Sequence, residues 1–91
     1  MTKKQGIKLT DYRAEVAHAI VAVRRAHLRL AELRAEEADA DKRGEILPQE
    51  WADDMAAAQE ALDAAIERRA EARHQLRELE DEIDAGAEIE L

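Results

Sequence analysis

The sequence predicts an all-α fold, an antiparallel two-helix hairpin with coiled-coil-like packing that assembles into a helical bundle. Three observations carry that expectation. Two long stretches of nearly equal length flank a single Gly/Pro break, Gly44-Glu45-Ile46-Leu47-Pro48. Apolar residues recur at three- and four-residue steps on both sides of the break. The two stretches also carry opposite charge. Residues 1–34 hold eight Lys/Arg against three Asp/Glu, and residues 55–91 hold four against eleven, so folding back lays a basic arm along an acidic one.

At 91 residues the chain is one domain. Charged residues make up 40% of it, Tyr12 and Trp51 are its aromatics, and twenty positions are Ala; this is the composition of long helices rather than of a disordered linker. The absence of cysteine excludes a disulfide framework and a thiolate metal site, and it fits a reducing compartment. No apolar run reaches membrane-spanning length, and Met1-Thr2-Lys3-Lys4 leads into no apolar signal-peptide core. The expected location is cytoplasmic or virion-associated, and the Ala/Arg/Asp/Glu bias points to a GC-rich bacterial or phage genome.

Residues 1–9 are read as a flexible basic segment and residues 10–86 as the hairpin. The first helix spans about 11–43, with Thr10 or Asp11 as its cap and Leu9 as the apolar staple outside it. Gly44 ends it after Lys42 and Arg43, cations suited to the negative end of a helix. The loop covers 44–48, and Pro48 opens a second helix of about 49–85. Gly86 closes that helix, and 87–91 form an acidic tail. Arms of about 33 and 37 residues would each run about 50–55 Å at 1.5 Å per residue.

The intramolecular seam is assigned to Val16, Val23, Leu30 and Leu33 on the first arm, with Tyr12, Ala19, Ala26 and Ile20 along it. On the second arm it is assigned to Trp51, Met55, Leu62, Leu76, Leu79 and Ile83, with Ala58, Ala65, Arg69 and Ala72. Trp51 and Met55 are expected to close the loop end against Leu33. Arms of matched length place partners at positions summing to about 92, such as Leu30 with Leu62. Arg69 is the one charge inside this seam, read as a register-fixing residue whose guanidinium reaches past the seam.

A second stripe runs along the first helix: Ala17, Val21, Leu28, Ala31 and Ala35. At 100° per residue, Val21 and Leu28 point roughly 140° away from Val16, Val23 and Leu30. One hairpin cannot cover both stripes, so these residues are assigned to a partner or oligomer interface. The expected partner is a second copy of the chain or another helical protein.

No catalytic motif is present and no cofactor is expected. The metal candidates are two Glu-x-x-His spacings, Glu15 with His18 and Glu71 with His74, which project from one side of a helix as carboxylate–histidine ligands do in di-metal bundles. Folding back sets the two His at a similar height, yet both lie off the main seams, and a Glu-rich chain generates such spacings by chance. The arginines of the first helix suggest nucleic acid, but a net charge of −8 and the lack of aromatics among them argue against it. Eight acids between residues 36 and 54 give the hairpin an acidic tip. That tip resembles, in outline and without a shared motif, the coiled-coil factors that reach into the secondary channel of bacterial RNA polymerase. The leading reading is a non-enzymatic interaction, assembly or structural subunit acting through helix packing. The alternatives are a metal-binding four-helix assembly of two hairpins and an acidic-tipped regulator of a nucleic-acid enzyme.

Overall fold

Thr2 starts the first helix. Its hydroxyl accepts the Gln5 N–H at 3.1 Å while the Gln5 side-chain oxygen accepts the Thr2 N–H at 2.9 Å, the reciprocal capping box that Thr-x-x-Gln spacing permits. In the computed structural model, which describes residues 1–90 with side chains through Gly86, α1 (Lys3–Arg43) therefore begins eight residues before Asp11. The reading of residues 1–9 as a flexible segment is corrected: they are helical from Lys3 onward. Gly6 resembles a breaker, but a helix-interior glycine costs only about 1 kcal/mol relative to alanine, and a cap contributes a comparable amount. Thr10 caps nothing; its hydroxyl donates back to the Gly6 carbonyl at 3.1 Å.

At the other end α1 stops as its sequence demands. Gly44 adopts φ 68° and ψ 23°, left-handed values that a Cβ disfavours. Its N–H donates to the Asp41 carbonyl at 3.2 Å, and the Glu45 N–H reaches the Ala40 carbonyl at 2.9 Å. This is a Schellman closure, which satisfies two carbonyls of the last turn. The chain then reverses through Glu45–Pro48 into α2 (Gln49–Glu90). Pro48 stands just before the helix rather than as its first residue, and its carbonyl accepts the Trp51 N–H at 3.0 Å. Gly86 does not terminate α2, which continues through it. Leu91 and the side chains of 87–90, read as an acidic tail, lie outside the described residues.

The two helices pack side by side as an antiparallel hairpin 71 × 17 × 16 Å in extent, and the described residues contain no strand. Every residue assigned to the intramolecular seam is removed from solvent at least in part. Ala19, Val23, Ala26, Leu30, Leu33 and Ala40 of α1 are buried with Ala58, Leu62, Ala65, Ala72 and Leu79 of α2. Val16, Trp51, Met55, Leu76 and Ile83 are half-buried. The core is thin, because alanine fills every second seam position over most of the hairpin, and among the described residues Leu33 alone of the large side chains is fully enclosed. No helix is long and apolar enough to cross a membrane among the described residues.

Trp51 closes the loop end as expected. It packs with Met55 against the Leu30–Leu33 cluster, and its indole N–H donates to the Leu33 carbonyl at 2.8 Å. The register differs from the expected one. Arg68 Nε donates to Glu15 Oε1 at 2.6 Å, and Arg29 meets Asp54 at 3.6 Å. Positions in both ion pairs sum to 83, and Trp51 with Leu33 to 84, rather than to about 92. Arm length constrains register loosely; seam packing and the indole bond at the loop end decide it.

Candidate interaction surface

Facing α2 uses one side of α1 and leaves another bare. Along that bare side Ala14, Ala17, Val21, Arg24, Leu28, Ala31, Ala35 and Ala38 follow one another at alternating steps of three and four, and all eight are exposed. Val21 is 43% exposed and Leu28 63%. The spacing is that of a heptad stripe, small or apolar at every position but Arg24, and it contains each residue assigned from the sequence to a partner interface.

The stripe merges into a groove that the sequence reading missed. Glu15 and Arg29 lie two heptads apart on α1, as do Asp54 and Arg68 on α2, so the two cross-helix ion pairs stand on one flank of the hairpin. Halfway between them, at the same heptad position, both helices carry alanine: Ala22 and Ala61. With Ala26, Ala58 and Ala65 they floor a groove of about 690 Å³, rimmed by His18, Val21 and Arg25 and ended by Arg29 and Arg68. Val21 belongs to both features. A shallower depression of about 440 Å³ lies beyond it, around Arg24, His27, Leu28 and Ala31. The spacing of 14 on each arm was present in the sequence, but only the register shows that the two arms align there.

The ion pairs set the local electrostatics. The Arg68 hydrogen bond, aided by the charges of Arg68 and His18, holds the Glu15 carboxyl below the ordinary glutamate value despite a smaller opposing desolvation. One pair sets an α1 cation against an α2 anion, and the other does the reverse. Of the eight cations in residues 1–34, Arg29 alone meets an α2 carboxylate among the described residues. The opposite charges of the two arms are thus carried mainly on their outer surfaces. Arg69 is half-buried, and its neighbour Arg68 makes the cross-helix bond instead.

The metal candidates are not brought together. Glu15 is engaged by Arg68, Glu71 accepts from Gln75 Nε2 at 3.3 Å, and His74 Nε2 stands 3.1 Å from Glu78. His18 shares its groove with Ala65 and Arg68, more than a turn and a half short of His74 along α2, so the two His do not stand at one height. No group of three or more His, Cys, Asp or Glu converges among the described residues. At the tip, Ile46 is 98% exposed beside Glu45, which pairs with Arg43 at 3.3 Å.

The accessible surface is 6948 Å², against about 5,300 Å² expected of a compact monomer of this mass. The excess of about 1,600 Å² is twice what one partner contributes to a standard interface, about 800 Å². The chain matches no protein-family profile, no curated protein and no solved structure.

Proposed function

We propose that this protein is a non-enzymatic assembly or adaptor subunit that acts by helix packing, using one seam of α1 to close its own hairpin and the opposite face to bind a helical partner. The observation that carries this reading is the outer stripe at heptad spacing, with Val21 and Leu28 exposed on either side of Arg24 at its centre. A surface helix that stands alone needs one apolar stripe; α1 has two. Small residues beside the large ones allow a partner backbone to approach closely. The thin alanine-rich core gives a physical motive as well, since the hydrophobic term scales with buried area at about 25 cal/mol per Å² and a partner adds area that the hairpin lacks. A virion or other bacterial or phage assembly is a setting in which such a subunit belongs, and a cytoplasmic or virion-associated location goes with it.

The test is made in the host. The wild-type chain is expected in an assembly larger than its own 10.2 kDa, and a Val21→Glu/Leu28→Glu variant is expected to leave that assembly while remaining helical by circular dichroism. A variant that stays in the assembly removes the outer face from consideration. A wild type that is monomeric in the host overturns the reading altogether.

A further inference from the structure

The outer faces of the two helices together narrow the choice of partner. We infer that the outer face of α1 seats on the outer face of α2 from a second copy, so that hairpins stand side by side, α1 of each against α2 of the next. This rests on the reading of α1's outer face as the interaction surface and adds the identity and register of the helix that covers it.

Charge selects the pair of helices. α1 holds ten Lys/Arg against seven Asp/Glu, and α2 holds four against fourteen. Two first helices, or two second helices, set like net charge beside like. Only α1 on α2 joins opposite signs. Within one hairpin that attraction is little used, since Arg29 alone of the cations in residues 1–34 meets an α2 carboxylate among the described residues.

Spacing then sets the register. On the outside of α2, Asp53, Ala57, Glu60, Ala64, Glu67 and Glu71 follow one another at alternating steps of four and three, and all six are exposed. Run antiparallel over the α1 stripe, they meet it at positions summing to 84 or 85. Val21 then faces Ala64, Leu28 faces Ala57, and Arg24 faces Glu60 between them. Each large apolar side chain meets a small one. The other three layers set Ala14, Ala17 and Ala31 against a carboxylate, which the short methyl leaves hydrated, so no charge is buried unpaired. The sum matches that of Trp51 and Leu33 inside the hairpin, so neighbouring hairpins stand flush. Residues 3–35 of α1 then lie over 49–81 of α2, eight Lys/Arg and three Asp/Glu against four and ten, while the acids at 36–41 fall beyond the overlap. On the flank Glu32 nears the neighbour's Asp54, but Arg29 of its own hairpin already holds each.

Area agrees. A contact between unlike faces uses two surfaces of every chain and repeats from copy to copy. The accessible surface of 6948 Å² exceeds that of a compact chain of this mass by about 1,600 Å², enough for two contributions of about 800 Å² each.

The described chain contains no cysteine, so single cysteines report the contact without interference. Val21→Cys and Ala64→Cys are made as separate proteins, checked for helicity by circular dichroism, and oxidised alone and mixed at low salt. The mixture is expected to yield a disulfide-linked species of twice 10.2 kDa, heterodimeric by mass, while each protein alone stays monomeric on a non-reducing gel. Absence of the mixed disulfide, or self-linking of Val21→Cys at equal yield, overturns the pairing. Sedimentation of charge-reversed variants tests the register. Arg24→Glu and Glu60→Arg are each expected to shift the assembly toward 10.2 kDa, and Arg24→Glu/Glu60→Arg to recover the wild-type mass. A double variant that recovers nothing overturns the register. A purified wild type that sediments at 10.2 kDa at low salt overturns the second copy as occupant; if the host assembly still depends on Val21 and Leu28, the broader reading of the face stands with a different helix upon it.

Discussion

Leu33 and Leu28 sit five residues apart on the same helix, each within a heptad stripe of the same spacing. One is 1% exposed, the other 63%. What separates them is the partner. α2 has one seam bulky enough to close a hairpin, running from Trp51 to Ile83, and it pairs with the α1 stripe that offers more apolar area. Val16, Val23, Leu30 and Leu33 outweigh Val21 and Leu28, and burial free energy follows area. Amphipathic periodicity therefore marks a face for packing without saying against what. The weaker stripe stays exposed in the single chain.

The largest expected effect tests that contrast directly. Leu33→Ala should destabilise the hairpin by about 2–5 kcal/mol, the usual range for emptying an enclosed leucine site. Leu28→Ala, under dilute conditions that keep the chain monomeric, should stay within about 0.5 kcal/mol of wild type. Chemical denaturation of the pair at one concentration decides the matter. Similar losses for both would mean that the two faces are not distinct in the isolated chain, and a Leu28→Ala loss that grows with concentration would sharpen the case for association.

Gly44→Ala comes next. At φ 68° a Cβ introduces strain of about 1–2 kcal/mol, although nothing lies within 4 Å of where that carbon would sit. The penalty should thus appear as backbone strain alone, with Asn tolerated better than Ala. Equal stability of Gly, Asn and Ala at this position would argue against the left-handed closure.

Trp51→Phe keeps an aromatic ring at the loop end but removes the donor to the Leu33 carbonyl. The net value of one such hydrogen bond is about 0.5–1.5 kcal/mol, so a melting shift of a few degrees is expected. A larger loss would assign the residue's importance to ring area rather than to the bond.

The smallest effect belongs to Glu15 and Arg68, both well exposed to solvent, where screening leaves little net stabilisation. Because the Glu15 value is depressed in the folded chain, its contribution is present above the ordinary glutamate value and disappears as pH falls through the depressed one. Carboxyl NMR titration should show Glu15 moving up toward ordinary glutamate in Arg68→Met or in high salt. An unmoved titration would mean that the flank pair is not formed in solution.

Much of this was legible in the chain. The turn was marked by Gly44 and Pro48, and the seam by its three-and-four spacing, because backbone sterics and helical geometry act locally. The start of α1 was misplaced because Thr2 and Gln5 signal a cap only when Gly6 is tolerated inside the helix. The Glu-x-x-His pairs looked equivalent in sequence, yet the register put Arg68 beside Glu15 and left His18 and His74 at different heights.

The sequence by itself determined that the chain makes two helices, where it reverses, and that α1 bears two stripes, since each depends on neighbours within a few residues. Only the tertiary structure decided which stripe α2 covers and how the arms slide against one another. Only there do Ala22 and Ala61 meet to open a groove between two ion pairs. Those outcomes come from competition among contacts from 18 to 53 positions apart, where side-chain area and the Trp51 hydrogen bond outweigh the symmetry of the arms.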